Sequence, residues 1–181
     1  MLTLMPVGKH DPLLRHAMKN HYSQPKGFVG RSICYNIWWG GTCYGSTVGG
    51  SATRFLPGRN EFFNTSNLNI IVNNTFFSIH KVDGRYPIRN FVPFVIREWR
   101  RQVARDWFRK YGDPVIGFET LVELPRTGEC YRRDGWTEVG VTKGYTCKRT
   151  GGQGTDSWTG KRVWDTVNLR PKIVLCRKFT P

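Results

Sequence analysis

The chain has 181 residues, enough for one domain with a proper core and too few for two comfortable ones. Aromatic residues make up 14% of it, with seven Trp and eleven Phe, which excludes global disorder. Lys and Arg total 28 against 13 Asp and Glu, a net charge of +15 expected of proteins that meet phosphate backbones or acidic surfaces, or simply of a soluble basic protein.

No apolar run approaches the roughly 20 residues that span a bilayer. The start, MLTLMPVGKHDP, has no basic segment ahead of a long apolar stretch, so neither a signal peptide nor a membrane partner is expected. The five cysteines (Cys34, Cys43, Cys130, Cys147, Cys176) are odd in number and never spaced CxxC. Neither a disulfide framework nor a zinc ribbon follows, and a reducing cytoplasm is the natural compartment.

In chain order, Asp11-Pro12 predicts a helix start, with the carboxylate as N-cap and proline at the first helical position. Leu13, Leu14, Ala17 and Met18 form its apolar face, and it ends near Asn20. Residues 21–27 are rich in turn formers. Ser32–Trp39 and Thr42–Val48, joined by Gly40-Gly41, form the clearest hairpin. Pro57-Gly58 marks a loop, Leu68, Ile70, Ile71 and Val72 a short helix, and Thr75–Lys81 a strand ending at Asp83-Gly84, with Tyr86–Arg89 as its resumption. The strongest helix is Pro93–Tyr111, where Val95, Trp99, Val103 and Trp107 recur every fourth residue and Gly112 follows as a stop.

Gly117–Leu124 then reads as a strand, Tyr131 as part of a short helix or turn, and Asp134-Gly135-Trp136 as the entry to another strand. Residues 148–169 read as a basic polar loop and Arg170–Phe179 as a last strand. From Val141 onward nine Lys or Arg face only Asp156 and Asp165. The order of elements describes one α+β domain, residues 1–181, built on a mixed sheet.

Several residues have the chemistry of a site. Tyr131 is either a general acid or a tyrosine packed behind the sheet. Glu119 and Glu123 share one strand face, so Glu119 is either a base in a cleft or a solvated carboxylate balancing arginines. Asp134 either orients a basic group or starts the turn before Gly135. His21 and Tyr22 sit where a helix gives way to a loop, a place for active-site residues, for a metal such as iron, or for a surface histidine. Lys26, Arg31, Arg132, Arg133, Lys148, Arg149, Lys161 and Arg162 offer phosphate contacts, with Trp158 and Trp164 as stacking surfaces for a displaced base; the alternative is a solvated basic face with those tryptophans in the core.

The strand–Tyr-x-x-x-Gly-Trp–strand pattern is similar to the end of a GCN5-like acyltransferase core. An acyl-CoA pyrophosphate would dock at the start of the long helix, beside Arg85, Arg89, Asn90 and Arg97. The glycine-rich phosphate signature of that fold is missing, since NFVPFVIREW has no glycine and Pro93 removes one amide. More specifically, HYSQPKGFVGRSICYNIWW, YGSTVGGSATRFLPGRNEFF, YGDPVIGFETLVELPRTGECYRRDGW and TDSWTGKRVWDTVNLRPKIVLCRK resemble the phage-encoded Mom family of DNA-modification proteins.

That resemblance implies a GCN5-related N-acetyltransferase-like fold and conversion of adenine in double-stranded DNA to an N6-methylcarbamoyl derivative, which protects phage DNA from restriction in the host cytoplasm. It implies acetyl-CoA and a ferrous ion as cofactors, and places His21, Tyr22, Arg89, Asn90, Glu119, Tyr131 and Asp134 around the active centre. Two other classes stay open: an ordinary acetyl-CoA-dependent N-acetyltransferase, and a non-catalytic DNA-binding or anti-restriction protein.

Overall fold

The computed structural model describes residues 1–147, 164–165, 167 and 169–180. Leu2–Val7 forms β1, an edge strand that tolerates Pro6 because one side of it needs no ladder bond. Pro12–Asn20 is α1, capped by Asp11, whose Oδ1 accepts from the amides of Leu13 at 3.0 Å and Leu14 at 3.1 Å. Ser32–Trp39 (β2) and Thr42–Ser51 (β3) make the hairpin across Gly40-Gly41. Arg59–Phe63 is a short α2, and Leu68–Ile70 is a single 3-10 turn rather than the expected helix.

Ile71–Ile79 is β4, beginning four residues before the expected Thr75. The long helix α3 spans Phe91–Tyr111, and Gly112 at φ +76° closes it, its amide bonded to Phe108 O at 2.8 Å. Gly117–Glu123 (β5), Glu129–Arg133 (α4) and Thr137–Val141 (β6) follow, then the short pair Thr146–Cys147 (β7) and Trp164–Asp165 (β8), and finally Lys172–Lys178 (β9). The expected resumption at Tyr86–Arg89 is not a strand; the turn just before it is closed by a Val82–Arg85 bridge.

The main sheet has seven strands in the order β1-β2-β3-β4-β5-β9-β6. Every pairing is antiparallel except β4 with β5. Alternate residues of the sheet face different helices. Tyr35, Ile37, Val72 and Phe118 bury against the Val95–Trp99–Val103–Trp107 stripe of α3 and against Tyr131 of α4. On the other face, Cys34, Val48 and Phe76 meet Leu14 and Met18 of α1, and Ile71, Val174 and Cys176 meet Phe63 of α2. This is the mixed-sheet α+β architecture that the sequence predicts. Among the described residues, no helix is long and apolar enough to cross a membrane.

Two irregularities shape the molecule's centre. The parallel β4–β5 ladder has only the pairs Ile71–Gly117, Val72–Phe118 and Asn73–Glu119, after which the strands separate while β5 stays zipped to β9. A register shift between Val48 and Gly49 leaves Thr75 as an extra residue on β4, a bulge at the point of separation.

Candidate active site

The separating strands open a cleft of about 640 Å³. Its walls are Asn74–Phe77 of β4, Thr120–Val122 of β5, the start of α4 with Tyr131, and His21–Ser23 after α1. His21, Tyr22 and Tyr131, distant in sequence, therefore meet at one cavity.

Tyr131 is held from every side. Gly128, at φ +69°, starts α4, and a Cβ there would lie 2.6 Å from Leu175 Cδ1, so only glycine lets the helix sit this close to the sheet. Trp136 packs edge-on against the Tyr131 ring at 5.0 Å, and Phe77 flanks it at 6.0 Å. The phenol donates to Asn74 Oδ1 at 2.7 Å, Asn74 Nδ2 donates to Thr47 Oγ1 at 2.9 Å, and Thr47 donates to Phe76 O at 3.1 Å. Thr120 fixes the same strand by donating to Asn74 O at 3.0 Å. Burial pushes the Tyr131 phenol far above its ordinary range, so it keeps its proton at any working pH.

At the cleft mouth the Arg126 guanidinium lies 3.7 Å from the Tyr22 ring centroid. Tyr22 stands 4.2 Å from His21, and His21 4.9 Å from Phe76. Burial, with a smaller contribution from Arg126, lowers the His21 pKa below its usual 6.5, so the imidazole is neutral near pH 7. Its Nδ1 lies 2.8 Å from Ser23 Oγ. Burial raises the Tyr22 phenol in turn.

Two expected members of the centre sit elsewhere. Glu119 is fully buried, bonded to Arg59 of α2, and does not line the cleft, although its partner Asn73 and Leu121 on the same face of β5 do. Its carboxylate accepts from Arg59 Nη1 at 2.7 Å, Thr53 N at 2.6 Å and Asn73 Nδ2 at 3.0 Å. Burial outweighs these partners and raises its pKa. Glu123, half-buried, reaches Arg170 at 4.0 Å. Asp134 takes a two-pronged bond from Arg100, Nε to Oδ2 at 2.8 Å and Nη2 to Oδ1 at 3.1 Å, and Trp136 Nε1 donates to the same Oδ2 at 2.9 Å. Both oxygens thus tie α3 to the α4–β6 turn.

The start of α3 lies beside a second cavity, also about 640 Å³, lined by Arg89, Asn90, Pro93, Arg97, Arg133 and Asp134. Asn90 takes a left-handed conformation without capping the helix, which leaves the amides of Phe91 and Val92 as free first-turn donors. Among the described residues Arg89 has no carboxylate partner, while Arg97 and Arg133 pair at the surface with Glu98 and Glu129 and would exchange those partners for a phosphate. With the free amides, the three guanidinium groups fit a pyrophosphate even without the glycine signature. Arg85 is exposed and lines neither cavity. Among the described residues no group of three or more His, Cys, Asp or Glu is placed to hold a metal, so the residues present do not fit a ferrous ion.

The expected phosphate-contacting residues divide. Arg31 is ion-paired with Asp113 and lies over the Tyr111 ring, far along α3 from the cleft. Arg132 pairs with Glu138 at 2.5 Å, and Arg133 with Glu129 at 3.0 Å. Lys26 is exposed in a groove beside α1. Lys148, Arg149, Trp158, Lys161 and Arg162 lie outside the described residues, and Trp164 belongs to β8 through its backbone pairing with Cys147.

Sequence reasoning missed Asn74, Thr75 and Arg126. The pair Asn73-Asn74, polar inside an apolar strand, was the available signal, since amides buried in a sheet need partners.

No protein-family model matches the chain, and no curated protein matches its sequence. Solved structures do match its fold. A Bacillus subtilis acetyltransferase in complex with CoA aligns over 99% of this chain and 100% of its own, with TM-score 0.61 and 11% identity. A GNAT family acetyltransferase from Elizabethkingia anophelis with acetyl-CoA bound covers 98% of both chains, with TM-score 0.56 and 10% identity. A ribosomal L7/L12 alpha-N-protein acetyltransferase covers 98% of this chain and 92% of its own, with TM-score 0.56 and 14% identity. At such identities the likeness establishes the fold, that of the GCN5-related N-acetyltransferases.

Proposed function

We propose that the chain is an acyl-CoA-dependent N-acyltransferase acting at the β4–β5 cleft. The observation that carries the reading is the buried, hydrogen-bonded Tyr131 hydroxyl set opposite a bulged β4 at the strand separation. When bound, the thioester supplies an electrophilic acyl carbon and a sulfur leaving group. Arg89, Arg97, Arg133 and the free amides of α3 hold the pyrophosphate. The unpaired backbone around Thr75 offers an N–H to the acyl oxygen. Tyr131, which stays protonated, offers its hydroxyl as a hydrogen-bond donor to the departing sulfur, and neutral His21 takes the proton released by the acceptor nitrogen.

The acceptor we favour is the N6 amine of adenine in double-stranded DNA, as in the Mom-type modification. Two observations support it: the net charge of +15, and the meeting of His21, Tyr22 and Tyr131, from separate Mom-like segments, at one cavity. Such a lone pair is delocalised into the ring, so positioning and carbonyl polarisation must supply much of the rate. Acyl transfer from acetyl-CoA to N6 gives N6-acetyladenine, whereas the methylcarbamoyl group of the Mom-type product carries a nitrogen that an acetyl thioester does not supply. The mass of the modified deoxyadenosine distinguishes the two, and either product would shield phage DNA in a host cytoplasm.

Two assays test the two levels separately. CoA thiol release from acetyl-CoA tests the transferase, and nucleoside mass spectrometry of DNA from expressing cells tests the acceptor. A heavier deoxyadenosine, absent with Tyr131→Phe, is the expected result. Thiol release onto free amines with unaltered DNA would leave an ordinary N-acetyltransferase. Absence of both activities from soluble protein would overturn the enzyme reading.

A further inference from the structure

The first 60 residues hold seven Lys or Arg (Lys9, Arg15, Lys19, Lys26, Arg31, Arg54, Arg59) and one acid, Asp11. That acid is committed to capping α1 and to a 2.9 Å bond from Asn36 Nδ2. Four of the seven cations converge on one groove of about 650 Å³ between α1 and the Pro25–Phe28 loop. Arg15 and Lys19, one helical turn apart on α1, form one wall, Lys26 the other, and Met18 and Phe28 belong to the floor. Lys9 builds the groove, its ammonium donating to Phe28 O at 3.2 Å and Gly30 O at 3.4 Å and tethering the loop.

Elsewhere Arg31, Arg101, Arg109, Arg132 and Arg133 have carboxylate partners. Among the described residues Arg54, Arg85, Arg89, Arg105 and Arg126 are exposed without one, but none of them lines this groove. Arg15, Lys19 and Lys26 also lack a carboxylate partner among the described residues, and no carboxylate lines their groove. Unpaired like charges facing each other across a groove repel, and an anion between them removes that repulsion. The connection to the cleft is direct: the segment whose His21–Ser23 end walls the cleft has its Pro25–Phe28 end in the groove.

We propose that this groove is a track for the phosphodiester backbone of a nucleic acid, lying beside the cleft so that a displaced base passes over the 21–28 segment into it. The inference rests on the nucleic-acid acceptor proposed above. It assigns the phosphate contacts to Arg15, Lys19 and Lys26, in place of the ion-paired Arg31 and Arg132.

The test is the salt dependence of binding to a 20-base-pair duplex, read by fluorescence anisotropy for the full chain. Each neutralised duplex phosphate contributes about −0.9 to the slope of log K against log salt, so Arg15→Gln/Lys19→Gln/Lys26→Gln should flatten it by about 2.7. A charge-matched variant on the outer face of α3, Arg101→Gln/Arg105→Gln/Arg109→Gln, should keep the parent slope. Thiol release from acetyl-CoA onto free deoxyadenosine should be unchanged in both, because none of the six residues lines the cleft. Equal slopes in the groove variant and the parent would overturn the track while leaving the nucleic-acid reading intact, as would equal flattening by both variants. A parent protein that turns over acetyl-CoA but binds no duplex would overturn the track together with the nucleic-acid acceptor, and leave the transferase standing.

Discussion

Replacing Arg59 by Met separates a structural from a catalytic Glu119. The Arg59 and Glu119 side chains are 1% and 0% exposed, with Nη1 and Oε2 2.7 Å apart. Arg59 also donates to Thr53 O and Asn60 Oδ1, both at 2.8 Å, and to Arg54 O at 3.4 Å. The substitution strands a buried carboxylate and strips those carbonyls, which costs about 3–5 kcal/mol. At roughly 2–4 °C per kcal/mol for a chain of this size, the melting temperature should fall by about 6–20 °C. The double variant Arg59→Met/Glu119→Leu removes both charges and should recover the part of the loss that comes from the stranded carboxylate, because an apolar pair of similar volume is often as stable. Thr53 N and the carbonyls that Arg59 held stay unpaired. Urea unfolding of the four members of the cycle, with CoA thiol release at matched folded fraction, reads both quantities. Since Asn73–Glu119 is the last rung before the strands part, the double variant should also keep kcat within about tenfold of the parent. A fully folded double variant with no turnover would refute the argument and return Glu119 to the chemistry.

Three further outcomes follow from the same geometry. Asn74→Ala leaves the buried Tyr131 hydroxyl without its acceptor and should cost about 1–3 kcal/mol by urea titration, with a fall in kcat and unchanged acetyl-CoA affinity. Because the His21 pKa is lowered in the folded state, the unfolded chain takes the proton first as pH falls. Its stabilising contribution is therefore complete above pH 6.5 and lost below it, and His21→Gln should flatten the stability–pH curve in that window. Asp134→Ala strands Arg100, whose side chain is 8% exposed, and should cost about 3–5 kcal/mol, while Asp134→Asn in its folded fraction turns over at the parent rate; a rate loss without a stability loss would make Asp134 a catalytic group.

The elements legible in the sequence are those whose local pattern and tertiary role agree. The four-residue recurrence Val95–Trp107 is the buried stripe of α3, and Gly40-Gly41 is the hairpin turn. By contrast β1 carries Pro6 and has Leu4 as its one buried residue, so no alternation announces it. The true start of β4 was hidden because Asn73 and Asn74 break its apolar run, and they do so because each serves a buried network made with distant strands. Glu119 shows the limit most clearly. Its spacing fixes which residues share its face of β5, but only the docking of α2, with Arg59, decides that Glu119 itself is sealed while Leu121 on the same face reaches the cleft. Tyr131 was legible from its turn, whereas its acceptor Asn74 required the fold.

The measurement closest to the central claim is single-turnover release of CoA thiol by the parent and Tyr131→Phe with duplex DNA and with a free amine as acceptor, with acetyl-CoA affinity measured in parallel. Saturable acetyl-CoA binding in both proteins, with release slowed about 100-fold or more in the variant, is the predicted result. No acetyl-CoA binding by the folded parent, or equal release by both, would contradict the assignment of this cleft to acyl transfer.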